Sequence, residues 1–268
     1  MLKYAKNIFL LHKNNENYRI LLSELMNISA TSIALEANKM VPEEQLRLFE
    51  EKKKMVDSGI PVYRALGYRY FWQDKFLLSP ETLEPRSDTE VLIEEAIKIP
   101  HNRIKKVLDI CTGSGCILLS YLRENPHAFG IGSDISEGAL KTAYKNASTL
   151  DLEERSNWIK SDLLDDINEE FDLIFSNPPY IPTKDIDWLD RNVKAHDPYI
   201  ALDGGLTGLD FYRRLAENLP KIMHKESIVI LEFGYNQLRD ILKIFEQFKI
   251  LKIIQDYNIN DRGIILKK

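Results

Sequence analysis

The chain has 268 residues, 44% apolar and 29% charged, with a net charge of −5. This is an ordinary globular composition, long enough for one large or two modest domains with a sizeable core. The acidic balance argues against a broad nucleic-acid-binding surface, and two cysteines five apart, Cys111 and Cys116, make neither a disulfide framework nor a zinc pattern.

Residues 1–60 read as helical. Leu2 to His12, Tyr18 to Met26 and Thr31 to Asn38 carry apolar residues at helical spacing, punctuated by Asn14-Asn15 and Asn27. Pro42 suits a first helical turn, with Glu43 and Glu44 beside it, and that helix is expected to reach Asp57 and stop at Gly59. The first 70 residues carry eleven basic and eight acidic side chains, a mildly basic balance too weak to name a partner. The N-terminal apolar run is short and lacks a cleavage site. No signal peptide or spanning segment is therefore expected, and a cytoplasmic location follows by default.

Tyr68–Trp72 and Lys75–Leu78 read as an aromatic hairpin around Gln73-Asp74, close to a domain boundary. Ser87 or Asp88 can cap a helix through Val91 to Ile97. From Lys105 strands and helices alternate. The strands are 106–110, 129–134, 157–160, 171–176, 227–233, 250–256 and 263–266; the helices are 116–124, 136–149, 209–224 and 237–248. Such alternation means a mostly parallel sheet covered on both faces. The link Tyr257–Arg262 is too short for a parallel crossover, so the seventh strand is expected to run antiparallel. Six parallel strands and one antiparallel is the count of the methyltransferases that use S-adenosylmethionine.

Asp109-Ile110-Cys111-Thr112-Gly113-Ser114-Gly115 ends the first of these strands and opens a helix, where ligands bind in doubly wound sheets. A dinucleotide loop needs a third glycine, but Leu118 stands there. Asp109 suits the cationic end of S-adenosylmethionine better than a pyrophosphate. Asp134, ending the second strand, can accept from a ribose diol. Asp162 and Leu163 are placed to meet the adenine, and Asp162 can equally cap a helix.

Asn177-Pro178-Pro179-Tyr180 ends the fourth strand. Two prolines fix two torsions and remove two donors, leaving carbonyl acceptors beside the Asn177 amide and an aromatic face. The result is a rigid, acceptor-rich slot for a planar group bearing an NH2. Asn177 and the Pro178 carbonyl can hold both N–H bonds and aim the nitrogen lone pair, with Tyr180 stacked on the group. Most of the rate gain then comes from orientation.

The sequence here resembles the glutamine-amide methyltransferases of peptide chain release factors, the PrmC/HemK family. The resemblance spans nearly the whole chain. It rests on Gly59–Gly67, Phe76–Ser79, Pro85-Arg86-Ser87-Asp88-Thr89-Glu90, Asp109–Gly115, Asn177–Ile181, Ala201–Gly205 with Gly208-Leu209-Asp210, and Leu231-Glu232-Phe233-Gly234. Three positions depart from the family pattern: Ser87 replaces a usual proline, Cys111 a frequent glycine, and His196-Asp197-Pro198 stands where Glu-Pro is usual. His196-Asp197 also looks like a metal-binding dipeptide, but a structural role is preferred and no metal is expected.

The resemblance implies an α/β fold: a seven-stranded Rossmann-like S-adenosylmethionine-dependent methyltransferase domain (85–268), preceded by a helical substrate-docking bundle (1–67) and a β-hairpin linker (68–84). It implies catalysis by Asn177, Pro178 and Tyr180, with Pro179 also contacting substrate. The cofactor would be bound by Asp109, Cys111, Thr112, Gly113, Ser114, Gly115, Asp134, Asp162, Leu163 and Asn177. The implied partner is a release factor, methylated on the glutamine of its Gly-Gly-Gln loop. Alternatives are a glutamine of a large-subunit ribosomal protein and the adenine amino group of a nucleic acid. Neither a stable nucleic-acid complex nor membrane association is expected, and a monomer is the default oligomeric expectation.

Overall fold

A computed structural model of the chain describes residues 14–29, 32 and 40–268. The helix expected over 2–12 and, apart from Ser32, the one expected over 31–38 lie outside the described residues. The chain forms two compact units, up to Tyr68 and from Arg69 onward.

In the first unit, α1 (Glu16–Met26) starts at Asn15, whose side chain accepts from Tyr18 N, and ends at Asn27 in left-handed backbone. α2 (Glu43–Asp57) begins directly after Pro42, and the short α3 (Val62–Leu66) ends at Gly67. Leu21, Leu22, Met26, Phe49 and Val62 form their shared core.

A hairpin, β1 (Tyr68–Phe71) and β2 (Asp74–Leu77), starts at the unit boundary, and its Phe71 and Phe76 join the core of the sheet domain. A 3-10 turn, Ser87–Thr89, then leads into α4 (Glu90–Ala96). Neither Ser87 nor Asp88 caps that helix with its side chain; the 3-10 turn takes the place of the cap. There follow β3 (Lys106–Ile110), α5 (Cys116–Glu124), β4 (Phe129–Asp134), α6 (Glu137–Thr149), β5 (Ser156–Lys160) and β6 (Phe171–Ser176). The remainder is α7 (Arg191–His196), α8 (Asp210–Asn218), β7 (Met223–Glu232), α9 (Leu238–Ile244), β8 (Lys249–Gln255) and β9 (Asp261–Lys267). The helix expected over 209–224 is shorter, because Pro220 closes a 3-10 turn and β7 starts four residues before Ser227.

The main sheet has the order β5-β4-β3-β6-β7-β9-β8. The pairs from β5 to β7 are parallel, while β9 is antiparallel to both β7 and β8. The six-plus-one pattern is therefore realised. Successive residues point to opposite faces. Val107, Leu173, Phe175, Ile230 and Ile265 pack under α4 and α5; Leu108, Ile110, Ile174, Val229 and Leu231 pack under α8 and α9. Both faces are apolar, as a covered parallel sheet requires. Strand order reverses at β3, so the C-terminal ends of β3 and β6 lie side by side and open a crevice. Among the described residues no helix is long and apolar enough to cross a membrane.

Candidate active site

A cleft lies at that crevice. Its wall includes Cys111–Ser114 after β3, Asp134–Ser136 after β4, Ser161–Leu163 after β5 and Asn177 and Pro179 after β6. Glu84–Arg86 and Thr89 close it from the segment before α4, and Phe211 and Arg214 from α8. Nine of the expected site residues thus share one wall. Asp109, Gly115, Pro178 and Tyr180 stand behind it. The Tyr180 ring packs against the core on the α8–α9 side, so the stacking expected of it has no counterpart on the wall.

Hydrogen bonds along the β3 loop set its shape. Thr112 N donates to Ser133 O (3.0 Å) and Gly113 N to the Asp134 carboxylate (2.9 Å). The other Asp134 oxygen accepts from Ser136 N at 2.9 Å. Gly115 has φ +78°, and a Cβ there would sit 2.8 Å from the Trp158 ring, so only glycine fits. Cys111 (φ 61°) and Leu163 (φ 54°) hold left-handed backbone without being glycine, a local strain that tends to gather at functional sites. Asn146 staples the loop to the hairpin: its amide donates to Ser114 O at 2.9 Å, and its carbonyl oxygen accepts from Leu77 N at 2.7 Å.

The electrostatics of this end are unusual. Asp109 is fully buried; one oxygen accepts from Thr112 Oγ1 at 2.6 Å and the other, Oδ1, has no partner. Burial pushes its carboxyl up to about 7, against the bond from Thr112. Burial also raises Asp134, opposed by the Ser136 and Gly113 N–H groups. The Cys111 thiol is pushed far up by burial and by the neighbouring Asp134 and Asp109. Acids raised by burial, one of them with an oxygen left without a partner, fit a cationic ligand, whose charge would favour their ionised form. Asp162 starts no helix; it pairs with Arg214 at 2.9 Å instead, and that bond raises Arg214.

The other end is neutral and rigid. Ser176 Oγ donates to Ile110 O at 3.0 Å, tying the end of β6 to that of β3. Asn177 Nδ2 donates to Thr89 Oγ1 at 3.5 Å. Behind the prolines, Gln237 donates to the carbonyls of Tyr180 (2.9 Å) and Gly208 (3.1 Å) and accepts from Gly234 N (2.9 Å). A Cβ on Gly204 would lie 2.8 Å from Pro179 O, so the glycine-rich 203–208 loop presses backbone to backbone against this corner. Burial raises the Tyr180 hydroxyl, and Glu232 adds to it.

Sequence reasoning left several site residues without a role. Arg86 was visible in the Pro85–Glu90 stretch, but not its partner: Asp197, almost fully buried, accepts from Arg86 at 2.7 Å and from Glu84 N at 3.3 Å. The Asp of the divergent His196-Asp197 dipeptide thus ties down the segment before α4. Arg214, Gln237 and Asn146 carry no local signal at all.

The fold and chain have relatives. Residues 86–203 match the Methyltransferase small domain family. The release factor glutamine methyltransferase of Rhodospirillum rubrum is 38% identical, over 87% of this chain and 72% of that protein. That of Agrobacterium fabrum is 37% identical over 93% and 89%, and that of Bacillus cereus 33% over 98% and 96%. Among solved structures, a ribosomal protein L11 methylase from Lactobacillus delbrueckii subsp. bulgaricus aligns with TM-score 0.52 at 20% identity, over 69% of this chain and 80% of that one. A methyltransferase from Pyrococcus furiosus aligns with TM-score 0.54 at 15% identity, over 85% and 99%. These two likenesses show the Rossmann-like methyltransferase fold. With identities of 33–38% along nearly its whole length, the chain belongs to the release factor glutamine methyltransferase family.

Proposed function

We propose that the protein methylates the side-chain amide nitrogen (N5) of the glutamine in the Gly-Gly-Gln motif of peptide chain release factors, with S-adenosylmethionine as methyl donor. One observation carries this reading. A single cleft joins a loop backed by the buried Asp109 and the half-buried Asp134 to Asn177 and the proline corner, in a chain of this family. The acids, the orphaned Asp109 oxygen and the open space over Gly113 fit the donor's cationic end. Cys111 to Gly115 and Asp109 would hold that end, Asp134 the ribose, and Asp162 and Leu163 the adenine. When bound, S-adenosylmethionine supplies an electrophilic methyl carbon.

The chain's own residues do the rest. An amide nitrogen is a poor nucleophile because its lone pair is delocalised. Asn177 Oδ1 and the Pro178 carbonyl would accept both N–H bonds of the glutamine, fixing the plane of the amide and favouring positive charge on nitrogen. Tyr180 would keep the corner in place. The corner offers no strong base and needs none, since the proton can leave to water after transfer. Residues 1–67 would dock the factor, and this activity belongs to the cytoplasm, where translation terminates.

The test is the mass of a release factor incubated with enzyme and donor. One added methyl on the Gly-Gly-Gln peptide is expected. An unmodified peptide from enzyme shown to bind the donor would refute the reading. A protein lacking residues 1–67 should still methylate the short peptide but work poorly on the intact factor; equal rates on both would remove the docking role.

A further inference from the structure

The wall after β5 carries an ion pair that the expected donor contacts do not use. Resting on the reading above, we propose that Arg214 is a positioning residue for the donor: it takes one oxygen of Asp162, leaves the other to the adenine amino group, and so selects a 6-amino purine over a 6-oxo one.

The geometry starts from the loop that carries Asp162. Ser161 N donates to Asp134 O at 3.1 Å, Asp165 N to Asp162 O at 3.3 Å and Asp166 N to Ser161 Oγ at 3.1 Å. The backbone is therefore pinned on both sides of Asp162. Its half-exposed carboxylate is not pinned by the loop and can turn about two side-chain torsions. Arg214, reaching over from α8, removes that freedom. Its Nη1 lies 2.9 Å from Asp162 Oδ1, and its Nη2 3.9 Å from Asp165 Oδ2. Among the described residues no other ion pair or hydrogen bond engages the Asp162 carboxylate, so Oδ2 remains an open acceptor. Both partners of the pair line the cleft.

The wall around the pair suits a flat heterocycle. Cys111, Leu163 and Phe211 line it with apolar groups that belong to the core on the α8–α9 side or pack against it. Phe211 and Arg214 are three apart on α8 and share one face of it. Apolar walls accept either purine, so the ring edge decides. At position 6 adenine presents N–H donors, whereas a 6-oxo purine presents an acceptor oxygen. A carboxylate accepts and a guanidinium donates. An unpaired arginine in this wall would welcome the 6-oxo ring. Pairing commits Arg214 to carboxylates, and the acceptor is what the cleft gains. A 6-oxo ring then sets oxygen against oxygen with no hydrogen between them, which is how a polar site rejects a near-isostere.

Calorimetry of the full-length protein with S-adenosylhomocysteine and with S-inosylhomocysteine, its 6-oxo analogue, reads this selection. The wild type should prefer the 6-amino compound by about 10–100-fold, the range of a hydrogen bond to a charged group. Arg214→Met keeps an apolar stem but frees the carboxylate. It should lose about tenfold in affinity for S-adenosylhomocysteine and change little toward the analogue, so the preference shrinks. Arg214→Lys can still pair with one oxygen and should keep most of it. Equal losses toward both compounds in Arg214→Met would reveal a merely structural role and overturn the proposal. An undiminished preference in that variant, or a wild type with no preference, would overturn it too. A wild type that binds neither compound would instead overturn the donor reading beneath it, so the two failures are distinct.

Discussion

At one end of the cleft, β3 and β4 carry the buried Asp109 and the half-buried Asp134 near their C-terminal ends, beside a loop held partly in left-handed backbone. At the other, β6 finishes in two prolines and a neutral amide. The first end has charge to offer and little covalent rigidity. The second is stiff and uncharged, and everything it offers is direction. The contrast matches the two tasks of a methyl transfer. A cation is retained by negative potential, which tolerates small displacements. A reluctant nucleophile must be aimed, and aim is lost with small displacements.

The contrast can be broken at its stiff end first. Asn177→Ala should lower kcat by about 10²–10³-fold, the usual loss for one preorganised polar group. Donor affinity should stay nearly constant in calorimetry. A variant that loses donor binding and keeps turnover would exchange the roles of the two ends.

At the charged end, Asp134→Asn keeps the shape but removes charge and one acceptor for Gly113 N or Ser136 N. Donor Kd should rise by about 10–100-fold, the range of hydrogen bonds to charged groups. The kcat at saturating donor should change less. Equal losses in both would mean that Asp134 shapes the reacting geometry as well.

Asp109 sharpens the comparison through pH. Its folded pKa is raised to about 7 from an ordinary value of 3.8. A raised carboxyl gives stability that is fully present below the unfolded value and lost as pH rises through the folded one. The stability difference between Asp109→Asn and wild type should therefore grow in the variant's favour from about pH 4 to about pH 7, by up to about 1.4 kcal/mol per pH unit, then level off. Chemical denaturation of the donor-free proteins measures it. A cationic donor should draw the proton off Asp109, so binding at neutral pH should release protons, read from calorimetry in buffers of different ionisation enthalpy.

The smallest effect is at Cys111. Glycine there would relieve left-handed strain of about 1–2 kcal/mol. The flexibility it adds to the unfolded chain takes back about 0.4–1 kcal/mol. Cys111→Gly should raise the melting temperature slightly and leave kcat alone.

Much of this was legible in the chain itself. Strand limits at β3, β4 and β6 coincide with the apolar runs, because a short buried strand bounded by Gly, Asp or Pro leaves few other solutions. The antiparallel β9 followed from the length of one link. The ends of the helices were less legible: Leu209 and Gln237 looked like first residues, but α8 and α9 begin one residue later and end sooner, where packing against the sheet rather than periodicity sets the limit.

The sequence by itself determined the sheet, its alternating faces, the glycine loop and the proline corner, since each depends on residues within a few positions of one another. Tertiary structure alone decided what surrounds them. It joined Arg86 to Asp197 across 111 positions, Leu77 to Asn146 across 69 and Tyr180 to Gln237 across 57. It moved the Tyr180 ring behind the wall, and it buried Asp109 and Glu232 deeply enough to hold both near neutrality. A desolvation penalty is a property of everything packed around a group, and no pattern along one strand can express it.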